Sequence, residues 1–215
     1  MPVIVIANPK GGVGKSTLAS NVAGCLAAAG HAVMLGDVDR QQSARQWLAL
    51  RPPQAAPISS WDVAADDIVR PPRGTTHVVL DTPAGLHGKR LEAVLRIADR
   101  LIVPLQASLF DIQATHAFLA ALREHKRWAL IETVLVGNRV REHTRALEQL
   151  HRYLETLPLP VLAWLRETQN YVQLAAHGLT LFDVAPGRVE RDLQQWAPLT
   201  AWLRGRSAGG HEKAA

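Results

Sequence analysis

Hydrophobic and polar positions alternate along this chain between two periods. Val3-Ile4-Val5-Ile6-Ala7 is a short unbroken apolar run, the pattern of a strand buried on both faces. After a glycine-rich stretch the period changes. Leu18, Val22, Cys25, Leu26 and Ala29 fall on one helical stripe that closes at Gly30. The switch then repeats. The pattern predicts further strands at 32–35, 77–80, 101–103, 133–136 and 160–163, and helices at 41–50, 88–98, 111–126, 142–156, 168–177 and 188–204. Strands alternating with helices make an α/β fold, a doubly wound and mainly parallel sheet. One domain over residues 1–204 accounts for the pattern, and no internal repeat is visible. The proline-rich stretch 51–75 has no clear period, and 205–215 is small and polar, which predicts a disordered tail.

Composition narrows the classes. The 215 residues are 47% hydrophobic, which excludes a disordered chain. Cys25 is the only cysteine, which excludes a disulfide scaffold and a cysteine-held cluster and fits a reducing cytosol. No apolar run reaches the ~20 residues of a membrane span, and no basic-then-apolar leader is present, so the expected location is the cytoplasm. None of the nine histidines stands in a His-x-x-x-His pair beside a carboxylate, so no histidine metal site is expected. Trp47, Trp128, Trp164, Trp196 and Trp202 fall among apolar residues of predicted elements and are assigned to packing.

The net charge is +5, and 19 of the 24 basic residues are arginine. Arginine pairs phosphate bidentately, so the excess opens a nucleic-acid surface beside the plainer alternative of an arginine-biased composition. Arg188, Arg191, Arg204 and Arg206 near the C-terminus are the candidates; their alternative is a solvated helix face.

The strongest chemistry lies in Asn8-Pro9-Lys10-Gly11-Gly12-Val13-Gly14-Lys15-Ser16-Thr17, between a predicted strand and a predicted helix. Glycines there let backbone N–H groups turn toward phosphate oxygens, and the helix N-terminus adds partial positive charge. Lys15 is placed to reach the β- and γ-phosphates, and the Ser16 hydroxyl to ligate Mg²⁺. Pro9 stands where the usual P-loop pattern has glycine, and Lys10 is an extra lysine whose spacing alone leaves it a solvated loop residue. Two further segments end strands. Asp37-Val38-Asp39-Arg40-Gln41-Gln42 carries two carboxylates at i and i+2, which share a strand face. Val78-Val79-Leu80-Asp81-Thr82-Pro83-Ala84-Gly85 is an apolar strand ending in Asp81, a Walker B pattern that holds Mg²⁺ through water. Ligands of open α/β sheets gather at these carboxyl ends.

Lys10-Gly-Gly-Val-Gly-Lys-Ser resembles the deviant Walker motif of the ParA/MinD family of P-loop ATPases, and the resemblance extends over about residues 2–185. It implies a P-loop NTPase of the SIMIBI-like architecture that uses ATP and Mg²⁺. In the family the lysine matching Lys10 crosses an ATP-bound dimer to the partner's phosphates. The Asp37–Gln42 segment is similar to switch I, typically Asp-x-Asp-Pro-Gln, with Arg40 replacing proline. By that likeness Asp39 positions the attacking water, Asp37 supports the metal site, and Lys10, Lys15 and Asp39 form the catalytic set. Ser16, Asp37, Asp39 and Asp81 form the metal set. Thr82-Pro83-Ala84-Gly85 resembles switch II. Val136-Gly137-Asn138-Arg139 resembles the base-recognition strand, with Asn138 on adenine and Arg166-Glu167-Thr168 closing over the base. The nucleotide set is Lys10, Gly11, Gly12, Val13, Gly14, Lys15, Ser16, Thr17, Asn138 and Arg166. No helix-turn-helix precedes the P-loop, so the likeness is to the short ParA branch. It implies an ATP-dependent homodimer that binds non-specific DNA, associates with the nucleoid, and positions a plasmid, chromosome region or protein assembly. An adaptor protein on that cargo would stimulate an otherwise slow hydrolysis. Two other classes share the fold: a MinD-like membrane-cycling ATPase, for which the end of the chain supplies no amphipathic helix, and a small-molecule or metallocentre enzyme, against which Lys10 and the lone Cys25 argue.

Overall fold

The computed structural model describes residues 1–63 and 71–205. Seven strands, β1 (Val3–Ile6), β2 (Val33–Asp37), β3 (Ile58–Trp61), β4 (His77–Asp81), β5 (Arg100–Leu105), β6 (Glu132–Val140) and β7 (Val161–Arg166), form one sheet in the order β3-β2-β4-β1-β5-β6-β7. Every neighbouring pair is parallel. The helices are α1 (Lys15–Ala28), α2 (Ser43–Ala49), α3 (Gly88–Ile97), α4 (Leu109–Arg123), α5 (Arg145–Glu155), α6 (Gln169–Ala175) and α7 (Glu190–Leu203).

Strand side chains alternate between faces, and the two cores follow from that. Ile4 and Ile6 point into a cluster with Leu18, Leu26, Trp47, Trp196 and Trp202, on the side of α1, α2 and α7. Val3 and Val5 point into the other, with Leu95, Leu119, Leu150 and Leu154 from α3, α4 and α5. Central strands buried on both faces have no polar side, which is why β1 reads as an unbroken apolar run. Trp196 is 1% exposed, and its loss to alanine would cost about 3–5 kcal/mol. Cys25 is buried on the α1 stripe, as its spacing predicts.

Three differences from the sequence reading have local causes. β3 lies inside the stretch that showed no period, as an edge strand beside β2. Its pattern is buried only at Ile58 and Trp61, with two exposed serines between, so its apolar signal is two residues long. α5 begins at Arg145 rather than 142 because the Thr144 side chain accepts the Leu147 N–H at 3.3 Å and caps the helix there. α4 begins at Leu109 because Ser108 caps it, its hydroxyl accepting the Asp111 N–H at 3.1 Å. The expected tail, apart from Gly205, lies outside the described residues, as does Arg206. No helix among the described residues is long and apolar enough to cross a membrane.

Candidate functional site

The P-loop joins β1 to α1 and is held from outside. Asn8 is fully buried; its Nδ2 donates to the Pro104 carbonyl (2.8 Å) and to Thr115 Oγ1 (3.0 Å), and its Oδ1 accepts the Lys10 N–H (2.8 Å). The Gly12 carbonyl accepts from Gln106 Nε2 (3.1 Å) and Arg139 (3.3 Å), and the Val13 carbonyl from Asn138 Nδ2 (2.7 Å). All peptides among the described residues are trans, so each carbonyl drawn outward turns the next N–H the opposite way. The Val13 and Gly14 N–H groups are thereby aimed away from these struts, as an anion cradle requires. Gly14 sits at φ +90° just before α1, and a Cβ there would lie 2.4 Å from the Asn138 amide. Only glycine satisfies both conditions.

Lys15 is 7% exposed, and its Nζ donates to the Lys10 carbonyl at 2.7 Å. Burial lowers its pKa, while Asp81 and Asp39 pull the other way. Asp81 and Asp37 are paired residues of β4 and β2, so both carboxylates emerge at the same edge of the sheet. Asp81 is 0% exposed, and neither carboxylate oxygen has a hydrogen-bond partner. Burial foremost pushes its pKa up to about 7; the neighbouring Ser16 hydroxyl tempers the rise without making a bond of full hydrogen-bond geometry. A buried carboxylate without a partner is costly and calls for a proton or a cation. With the Ser16 hydroxyl beside it, the donor set is all oxygen, which suits Mg²⁺. Among the described residues no group of three or more His, Cys, Asp or Glu is arranged around a metal, so phosphate oxygens and water would complete the shell.

Asp37 behaves differently from Asp81. Its Oδ2 accepts the Ala44 N–H (2.8 Å) and the Arg45 N–H (3.3 Å), and its Oδ1 accepts the Asp39 N–H (2.9 Å). Burial raises its pKa and these bonds restrain the rise. Both oxygens accept backbone N–H groups, which fixes the turn that carries Asp39. Asp39 Oδ1 accepts the Gln41 N–H at 3.0 Å, and Arg40 is exposed. The segment after β4 is tied to β1 and the P-loop: the Gly85 N–H donates to the Pro9 carbonyl (2.8 Å), and Thr82 Oγ1 donates to the Ile6 carbonyl (2.8 Å).

Beyond Gly14 opens a pocket of about 320 Å³, lined by Thr17, Asn138, Arg166, Thr168, Tyr171 and Trp196 among others. Asn138 and Arg166 are thus brought together where the sequence placed the base. Arg166 is held there: its Nε donates to Asp192 Oδ1 (2.6 Å), and its backbone N–H to Gln195 Oε1 (2.9 Å). Asp192, fully buried on α7, also accepts from Asn170 (2.6 Å). Trp196 Nε1 donates to the Tyr171 hydroxyl at 2.8 Å. Sequence reasoning missed Gln106, Arg139 and Asp192, whose partners lie 94, 127 and 26 residues away. Asn8 carried one usable signal, a polar amide directly ending a buried strand. Of the arginines suggested for DNA, Arg191 is taken by Glu142, with its Nη2 2.7 Å from both carboxylate oxygens.

The fold and the motifs agree with known proteins. Residues 4–181 match the family described as CobQ/CobB/MinD/ParA nucleotide binding domain. The chain is 38% identical over 116 residues to the maintenance of carboxysome distribution protein A of Gloeobacter kilaueensis, covering 51% of each. It is 30% identical over 153 residues to the chromosome-partitioning ATPase Soj of Thermus thermophilus, covering 56% of this chain and 61% of Soj. The chain therefore spans between half and two thirds of the length of these relatives. Among solved structures it superposes on the MinD cell division protein of Aquifex aeolicus (TM-score 0.74, 17% identity, 97% of this chain and 99% of that one). It also superposes on apo McdA of Cyanothece (TM-score 0.72, 16% identity, 95% of this chain and 100% of that one). With an all-parallel P-loop NTPase fold and a family match over most of its length, the chain belongs to the CobQ/CobB/MinD/ParA family of nucleotide-binding domains.

Proposed function

We propose that this protein is a Mg-ATP-hydrolysing, ParA-like positioning ATPase that works as an ATP-bound homodimer on non-specific DNA. The observation that carries the reading is the fully buried, unpartnered carboxylate of Asp81 beside Lys15 and Ser16, beneath a loop with the additional Lys10. Lys15 Nζ is parked on the Lys10 carbonyl, a contact it exchanges for phosphate oxygens when nucleotide enters. Ser16 and, through water, Asp81 would hold Mg²⁺, which would supply positive charge against the phosphate oxygens. Asp39, on the turn shaped by Asp37, orients the water whose oxygen attacks the γ-phosphorus as the bond to ADP breaks. No strong general base stands in these motifs, so hydrolysis is slow until an adaptor completes the site. Lys10 reaches the partner protomer's nucleotide, and Asn138 and Arg166 frame the base. The positioning role rests on the carboxysome-distribution and Soj relatives, and the cargo is a nucleic-acid or protein assembly.

The test is retention of the purified protein on random-sequence DNA, in Mg-ATP against Mg-ADP, across a salt series. Tighter binding in ATP that weakens steeply with salt, and is lost in Lys10→Ala, supports the reading. Equal or absent binding in both nucleotides overturns the DNA track and leaves a nucleotide-driven switch acting on a membrane or a protein.

A further inference from the structure

A DNA-binding ATPase needs a surface that meets DNA, and the C-terminal arginines are poorly placed to supply it. Arg191 is neutralised by Glu142. Arg188 and Arg204 flank the two ends of α7, a helix about 21 Å long at 1.5 Å per residue. The two therefore stand a helix length apart.

A different cluster satisfies the requirement. Between α3 and the turn that follows α4 runs an open groove of about 910 Å³, lined by Lys89, Arg96, Lys126 and Arg127 together with Glu92, Glu124, His125 and Ala93. Four cations face two carboxylates. Among the described residues none of these four cations forms a side-chain hydrogen bond or ion pair, whereas seven other cation–carboxylate pairs do form. Lys89, Arg96 and Lys126 are exposed. The lining also lacks what a protein partner uses. Interface cores are anchored by aromatic and apolar side chains and depleted in charge, and here Ala93 is the one apolar residue. Unpaired cations without apolar anchors are the surface that phosphate backbones neutralise, with release of counterions and no base reading.

We infer that the α3–α4 groove is the DNA-backbone contact surface of this protein, an inference that rests on the DNA-binding reading above. Its position also links it to the nucleotide. Lys89 follows by four residues Gly85, whose N–H is held by the Pro9 carbonyl of the P-loop. A phosphate that shifts the P-loop therefore acts on the segment leading directly into the groove's rim.

The test uses the full chain in Mg-ATP, a fluorescent random-sequence duplex of about 24 base pairs, and NaCl from about 50 to 200 mM. The variant K89A/R96A/K126A removes three exposed cations outside the nucleotide site. The groove reading expects at least a tenfold weaker Kd at about 100 mM salt and a salt slope shallower by roughly 2–3, at about 0.9 for each phosphate that is no longer neutralised. R188A/R204A is expected to stay within twofold of the wild type. An unchanged thermal midpoint and fluorescent-ATP affinity show that the triple variant is folded; should it not be, Lys126→Glu alone must still flatten the slope. If the wild type binds duplex and the triple variant keeps its affinity and slope, the groove assignment falls while the DNA reading stands. If the loss appears in R188A/R204A instead, the assignment falls in favour of the α7 ends. If the wild type binds phosphatidylglycerol vesicles and no duplex, both the groove assignment and the DNA reading fall.

Discussion

The two ends of the proposed nucleotide site are finished to different degrees. At the base end the polar groups have partners within the fold: Asp192 takes Arg166 and Asn170, Gln195 takes the Arg166 backbone, Asn138 takes Val13, and Trp196 takes Tyr171. At the phosphate end Asp81 has none, and Lys15 leans on a loop carbonyl. The base end is a preformed socket whose polar groups are already satisfied. The phosphate end holds an electrostatic deficit that a proton or a cationic ligand relieves, so that is where binding energy can reshape the loops.

The sharpest way to break this contrast is Asp81→Asn. It should cut Mg-ATP hydrolysis by about 10²–10³, the scale of removing one electrostatic contact in a site of this kind. Yet the amide removes a buried unpartnered charge, so the nucleotide-free variant should melt several degrees higher than the wild type. The pH dependence gives the sign independently. With a folded pKa of about 7 against 3.8 for the ordinary carboxyl, the group costs nothing below about pH 4; stability declines as pH rises from there towards 7 and levels off above it. Thermal melts in EDTA without nucleotide across that window should show the decline in the wild type and flatten it in Asp81→Asn. A wild type whose melting point rises between those pH values would remove the deficit.

The base end should respond in the opposite sense. Asp192→Ala strips a buried acceptor from Arg166 and Asn170 and should destabilise by about 3 kcal/mol, or roughly 6–12 °C for a chain of this size. At a temperature where it stays folded, KM for ATP should rise with kcat little changed, because uniform binding is what it loses. Gly14→Ala is intermediate. A Cβ at φ +90° and 2.4 Å from Asn138 pushes that amide off the Val13 carbonyl, so ATP affinity should drop about tenfold by fluorescence titration, at a conformational cost of about 1–2 kcal/mol. Arg191→Ala is the smallest. Its pair with Glu142 is solvent-exposed and lies outside the base pocket, so neither melting midpoint nor ATP affinity should move measurably.

The same division marks what is legible in the sequence. Lys15, Ser16 and Asp81 stand in local patterns, because a phosphate cradle is built from consecutive residues at one strand end. The strand-helix alternation likewise exposes the sheet, since buried parallel strands are apolar along their whole length. What stays hidden is non-local or weakly patterned. Gln106 and Arg139 serve the P-loop by meeting a backbone carbonyl, which leaves no complementary residue type to look for. Asp192 reads as one more polar residue on an amphipathic helix until β7 is laid beside it. Asp37 can be placed beside the phosphates from its spacing, but the N–H groups of Ala44 and Arg45 that occupy it become visible only once the turn is formed. Of β3, only Ile58 and Trp61 face the core.

The strand order has a consequence for how the molecule is made. β1 lies in the middle of the sheet, between β4 and β5, with its first partners at Val78 and Arg100. At about 5–20 residues per second of synthesis, it waits roughly 5–20 s as a naked apolar ribbon before both flanking strands exist. The segment that bears the P-loop thus leaves the ribosome well before the two strands that flank it. A nascent chain of this design exposes an aggregation-prone strand during translation, and rare codons between β1 and β5 would lengthen the exposure.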